Sequence, residues 1–172
     1  NQFDYFGLDT KSRREIQKQF HKVHVLPPHE KLESIVHLCW ENSHSEMQYF
    51  ALELYEKYKK QFTPDDLSVF EFMITHKSCW DTVDFVAPKL VSALFIAEPK
   101  LISTTTAKWM KSKNIWLIRS SLLFQLNYKK ETDESLLAKL ILQCADHPDF
   151  FVRKAIGWSL RQYVRTNPLF VR

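Results

Sequence analysis

Trp80 and Asp84 stand four residues apart in CWDTVD, so a helix over this segment puts an indole and a carboxylate on one face. A carboxylate beside an electron-rich ring can stabilise positive charge that develops during a reaction. The same pair fits a structural role, a capping or salt-bridged aspartate beside a core tryptophan. Asp81, on another face and nearer the helix start, is the better-placed cap. A second set lies in FFVRKAIGWSLRQYVRTNP, where Lys154, Trp158, Arg161 and Arg165 follow i, i+4, i+7 and i+11. Phe151, Ala155, Ile156, Leu160 and Tyr163 form the opposing stripe, expected to face the core. Cations for phosphates and an indole for sugar or base are what a nucleic-acid groove uses, and a solvated basic face with a half-buried tryptophan has the same spacing. Arg119 is the one charge in NIWLIRSSLLFQL. A buried guanidinium needs an anion, here either an internal carboxylate or a phosphate. His21 and His24, at i and i+3, are too few to imply a metal.

These side chains need helices to position them. Pro28, Pro64, Pro99 and Pro148 each precede an apolar-periodic stretch and read as helix starts, since proline suits a first turn and not an interior. The pattern predicts helices near 10 to 24, 29 to 40, 44 to 61, 64 to 77, 79 to 95, 99 to 111, 114 to 128, 132 to 146 and 148 to 165. Thr63 supplies a cap oxygen for the helix at Pro64, with Asp65 and Asp66 favouring the positive end of its dipole. Pro88 falls inside a helical run, where it must remove a hydrogen bond, and a kink is expected just after Asp84. Short helices, short connections and no alternating strand pattern point to helical hairpins stacked as a solenoid. At 172 residues the whole chain, 1–172, reads as one domain.

Composition removes several function classes. Two glycines in the whole chain leave no Gly-rich loop to cradle a phosphate or dinucleotide. Cys39, Cys79 and Cys144 are odd in number, widely spaced and without a CxxC pair, so neither a disulfide framework nor a zinc site is indicated and a reducing cytoplasm fits. No apolar run approaches the roughly 20 residues that span a bilayer, and NQFDYFGLDT has no charged start leading to an apolar core. A formal net charge of +4 is a mild basic bias whose distribution matters more than its size. With five tryptophans and thirteen phenylalanines, most aromatics must be core and need no functional account.

Four segments, in order, carry a resemblance: FGL-x-T-x-x-RR, K-S-C-W-D-T-V-D, N-I-W-L-x-R-S-x-x-L-F-Q-L-x-Y-K and F-x-x-K-A-I-G-W-x-L-R-x-Y-x-x-T-N-P. Together they resemble the AlkD-like family of DNA alkylation-repair glycosylases over essentially the whole chain. The resemblance implies an all-α superhelical stack of antiparallel HEAT-like helical repeats whose concave, basic face holds double-stranded DNA. It implies removal of N3- and N7-alkylated purines without drawing the base into a pocket. Trp80 and Asp84 match the family's catalytic tryptophan and aspartate, Trp158 its second sugar-facing tryptophan and Arg119 its DNA-contacting arginine. Lys77, Lys113, Lys154, Arg161 and Arg165 fall on segments that would line the concavity. No cofactor or metal is implied, and nothing demands more than a monomer.

The chain departs from the family pattern at both ends. It begins essentially at FGL-x-T-x-x-RR, without the helical hairpin that members usually carry ahead of it, and stops at Arg172 where members continue. Loss of that hairpin would remove one wall of the lesion site, and misplacement by about 1 Å can cost roughly 100-fold in rate. Two readings therefore stand: a glycosylase for cationic alkylpurines, and a non-excising relative that binds distorted, bulky-adducted or branched DNA. A HEAT-type scaffold with no nucleic acid has little need of Trp80, Asp84 and Trp158 together.

Overall fold

A computed structural model describes residues 3–172; Asn1 and Gln2, the first residues of the segment without a leader pattern, lie outside it. Among the described residues the only β pairing is an isolated bridge between Asp4 and His44, so the fold is all-helical as the periodicity predicts. The chain divides into two compact units, one ending at Gln61 and the other spanning Phe62–Arg172.

In the N-terminal unit, α1 (Thr10–Val23) starts where the Asp9 carboxylate accepts the Ser12 N–H at 2.7 Å. α2 (Leu32–Glu41) and α3 (Ser45–Glu56) pack together through Leu32, Val36, Trp40, Ala51, Leu52 and Tyr55, all at most 2% exposed. Burying each such large side chain contributes on the order of 1.5–3 kcal/mol. α1 adds little to that core: Gln17 is its one buried residue. What holds it is polar. Arg13 forms a two-pronged pair with Glu53 at 2.9 Å for each bond, and Arg14 adds a third bond to the same carboxylate at 2.8 Å. Ahead of α1, the N–H groups of Phe6, Gly7 and Leu8 converge on the Glu46 carboxylate at 3.1–3.2 Å. Gly7 makes that convergence possible with φ +81, a left-handed conformation that costs other residues energy.

The C-terminal unit is built from α4 (Asp66–Thr75), α5 (Trp80–Phe85), α6 (Ser92–Ala97), α7 (Lys100–Met110), α8 (Ile115–Leu123), α9 (Glu134–Gln143) and α10 (Phe150–Tyr163). Phe70, Met73, Ile74, Val83, Val86, Leu90, Phe95, Trp109 and Leu123 are wholly buried in it. α8 is the hub, packed against α4, α5, α7, α9 and α10. That position explains why Ser120 and Ser121 are tolerated at 0% and 1% exposure: each hydroxyl donates back to the carbonyl four residues earlier.

Two local expectations change form. The disturbance expected from Pro88 is a π-helical turn over Val86–Val91, joining α5 to α6 in one helical run. Widening the turn accommodates the missing N–H, and the Asn127 amide donates to the Pro88 carbonyl at 3.2 Å while Tyr128 donates to Ser92 O at 3.0 Å. At the start of α4, the Thr63 hydroxyl does not serve as the cap acceptor. The Asp66 carboxylate instead reaches back to take the Thr63 N–H at 2.7 Å and its hydroxyl at 3.3 Å. The Asp66 N–H that the Thr63 hydroxyl would have accepted goes to the Thr63 carbonyl at 3.1 Å, so only the reverse half of a capping box forms there.

Candidate functional site

α5, α8 and α10 of the C-terminal unit surround an open cleft of about 600 Å³. Its approach to α5 is set by a sharp loop in which Lys77 takes φ 45 and the Ser78 hydroxyl donates to Ile74 O at 2.7 Å. Cys79 then stands extended as the residue before the helix. The Asp81 carboxylate accepts the Thr82 N–H at 2.7 Å, satisfying a first-turn donor as its position suggested. Asp84 is thereby free of capping. It sits one turn beyond Trp80, and both line the cleft. Trp80 is 55% exposed, far more than a core tryptophan would be.

Arg119, at 4% exposure, reaches Asp84 from the middle of α8. Its Nε donates to one carboxylate oxygen at 2.8 Å and its Nη2 to the other at 2.9 Å, while Nη1 donates to Phe151 O. The buried guanidinium thus finds an internal carboxylate, one of the two anions its surroundings call for. The side-on fork fixes the plane of the Asp84 carboxyl, whose side chain stays 16% exposed toward the cleft. A carboxylate offers about four lone-pair directions, and Arg119 occupies two of them.

α10 forms the facing wall. Asp149 starts it by accepting the N–H groups of Phe151 at 2.7 Å and Val152 at 3.2 Å. Ser159 fastens it to α8, donating to Leu122 O at 2.7 Å. Its buried stripe is Val152, Ala155, Ser159 and Tyr163. This corrects the expected core stripe: Ala155 and Tyr163 are in it, Ile156 and Leu160 are half-buried, and Phe151 turns to the cleft, with its ring 5.0 Å from that of Trp116. The helix has apolar residues on two sides, so spacing alone could not say which side meets the core. Lys154, Trp158 and Arg161 share one face, as their spacing implied, and that face lines the cleft, with Trp158 half-buried and both cations exposed.

The cleft therefore gathers six of the nine candidate residues: Trp80, Asp84, Arg119, Lys154, Trp158 and Arg161. Arg165 lies beyond the last residue of α10, Lys113 in the turn before α8 and Lys77 in the loop before α5, all exposed and none of them lining the cleft. Sequence reasoning passed over Phe150 and Gly157. Phe150 is 54% exposed, with the Lys154 ammonium 5.0 Å from its ring centre. It could have been found as the position four before Lys154 on the same stripe. A Cβ placed on Gly157 would meet nothing within 4 Å, so no neighbour within the protein demands a glycine there.

One carboxylate, already paired, faces two further cations, Lys154 and Arg161, so the cleft carries surplus positive charge. Burial and then the Asp81 carboxylate push the thiol of Cys79, next to Trp80, above its ordinary value, which works against thiolate chemistry. Among the described residues no group of three or more His, Cys, Asp or Glu is placed to hold a metal ion. No helix of the described residues is long and apolar enough to cross a membrane.

A family model described as DNA alkylation repair enzyme matches residues 1–172. No curated protein matches the chain. Among solved structures, one described as a predicted DNA alkylation repair enzyme from Enterococcus faecalis is 32% identical, with a TM-score of 0.88 over 99% of this chain and 79% of that one. The four ordered motifs thus sit in a chain that matches along its whole length: it belongs to the family of DNA alkylation repair enzymes.

Proposed function

We propose that the protein holds double-stranded DNA against the α5–α8–α10 cleft and hydrolyses the glycosidic bond of cationic N3- and N7-alkylpurines. An alkylpurine of this kind already carries positive charge, so its base leaves neutral and needs no acid to protonate it. What remains to be stabilised is a sugar with oxocarbenium character, exposed to attack by water. The observation that carries the reading is the grouping of Trp80, Asp84 and Trp158 around one cleft with Lys154 and Arg161 beside them.

Each residue has a role its chemistry suits. Asp84 turns its unoccupied lone pairs to the sugar cation and to the incoming water. Trp80 and Trp158 offer ring faces that attract a positive sugar. Arg119 holds the Asp84 carboxyl in plane, and two of its five N–H groups remain for a phosphate. Lys154 and Arg161 hold the backbone. No cofactor enters the scheme, and the work is assigned to a monomer.

The second reading, a non-excising binder of distorted, bulky-adducted or branched DNA, has one observation in its favour. The charge of Asp84 is already countered by Arg119 through two hydrogen bonds, which weakens its pull on a developing cation. Incubation with a duplex carrying one 7-methylguanine separates the two. The first reading expects release of free base above the spontaneous rate; the second expects binding with release at that rate.

A further inference from the structure

Outside the cleft, the N-terminal unit carries a second concentration of cations. Arg14, Gln17, Lys18, His21 and Lys22 follow i, i+3, i+4, i+7 and i+8 along α1, so they share one face. That face and the end of α3, at Glu53 and Lys57, line an open groove of about 490 Å³. Glu53 is no counter-charge for the groove, because Arg13 and Arg14 already hold it by three hydrogen bonds. Arg14 spends only its Nε there; its side chain is 60% exposed, with the Nη groups free to reach a ligand. Among the described residues Lys18, Lys22 and Lys57 form no ion pair.

Two buried polar atoms point to a missing ligand. His21 Nε2 and Gln17 Oε1 have no hydrogen-bond partner, although Gln17 is only 7% exposed and its amide N–H reaches Phe50 O at 3.4 Å. Orphaned polar atoms in a groove lined by cations are costly unless something completes them. A phosphate oxygen would accept from the imidazole N–H, and the amide oxygen would accept from a lysine ammonium drawn in over the anion.

We infer that this groove binds phosphate, and that its ligand is the phosphodiester backbone of duplex DNA. The choice of DNA rests on the function proposed above and on the layout of the charge. A lone phosphate ion wants cations converging on a point, whereas Arg14 to Lys22 spreads them along about 12 Å of helix, which suits a row of phosphates. Burial and then the Lys57 ammonium hold the His21 imidazole below its ordinary value, as befits a ring set among cations.

The test uses the full chain and its Lys18→Ala/Lys57→Ala variant, with unfolding midpoints compared to confirm that both are folded. Two readouts are followed: the salt dependence of affinity for an undamaged duplex, and the His21 ring signals in NMR as either duplex or inorganic phosphate is added. The expected result is a salt slope shallower by about 0.9 for each phosphate contact removed, with His21 signals that move on adding duplex and move less in the variant. An unchanged slope with unmoved His21 signals overturns the site. Signals that move with inorganic phosphate while the slope stays unchanged overturn DNA as the ligand and leave a free-anion site. A wild type that binds no duplex sinks the proposed function as well as the ligand. Duplex binding that meets the expectation without base release sinks only the excision reading.

Discussion

The cleft of the C-terminal unit and the basic groove of the N-terminal unit both present cations, but they prepare them differently. In the cleft the central guanidinium is buried and committed to Asp84 by two hydrogen bonds, on helices packed into a core of wholly buried side chains. In the groove three lysines stand without ion pairs among the described residues, two of them on a helix that buries a single residue and the third at the end of α3. The contrast separates chemistry from holding. A reacting centre needs a carboxylate fixed in orientation, which takes a rigid fork and a dense core. A polyanion needs only loosely placed charge, because counterion release rewards number more than geometry.

The sharpest way to break this comparison is at Arg119. Replacing it with alanine leaves Asp84 partly buried without its partner, and we expect a loss of about 3 kcal/mol in urea unfolding followed by tryptophan fluorescence. Four of the five tryptophans lie in the C-terminal unit, so the probe reports mainly on it. A loss under about 1 kcal/mol, the worth of an exposed pair, would mean the fork is not committed as described.

The N-terminal unit has its own fixed point in Glu46. Burial alone would raise its carboxyl, but its own N–H and those of Phe6, Leu8 and Gly7 outweigh burial and hold it below the usual range. A depressed folded value stabilises at neutral pH, and that contribution is lost as pH falls from the ordinary value near 4.3 through the folded one. Glu46→Gln should therefore cost about 1–3 kcal/mol at pH 7, with the gap to wild type closing on acidification below pH 4. A gap that stays constant down to pH 3 contradicts the assignment.

The smallest expected effect has two opposite signs. Gly157→Ala should raise stability by about 0.5–1 kcal/mol, since alanine suits a helix interior and the added carbon meets nothing. The same carbon projects into the cleft, so duplex affinity should fall. An alanine variant that gains stability and binds DNA unchanged would mean that the ligand does not approach α10 there.

Much of this was legible in the sequence. Pro64, Pro99 and Pro148 each lie within two residues of a helix start, and Pro28 directly precedes the short 3-10 turn His29–Lys31 that leads into α2. Trp80 and Asp84 share one helix face, and Lys154, Trp158 and Arg161 another, as their spacing implied, whereas only the family resemblance implied that the two faces line one cleft. What spacing leaves open is anything that depends on a partner from elsewhere in the chain. Its own segment favoured an internal carboxylate for Arg119, and the resemblance a phosphate, but neither could name Asp84, thirty-five residues away, as the partner. Phe151 sits on an apolar stripe but meets Trp116 instead of the core. The basic groove was missed for the same reason: the α1 stripe was visible in RREIQKQFHK, but Lys57 comes from another helix, and nothing in a sequence says that Gln17 is buried.

The central claim is that Asp84 acts on a sugar cation, and single-turnover release of 7-methylguanine from a duplex tests it most directly, comparing wild type, Asp84→Asn and a blank without protein. The account predicts release well above the blank for wild type and a fall of roughly 10²–10³ for Asp84→Asn, the usual cost of removing one group aimed at transition-state charge, with duplex binding retained. Wild-type release equal to the blank, with the duplex still bound, would contradict it and make the protein a non-excising DNA-binding member of its family.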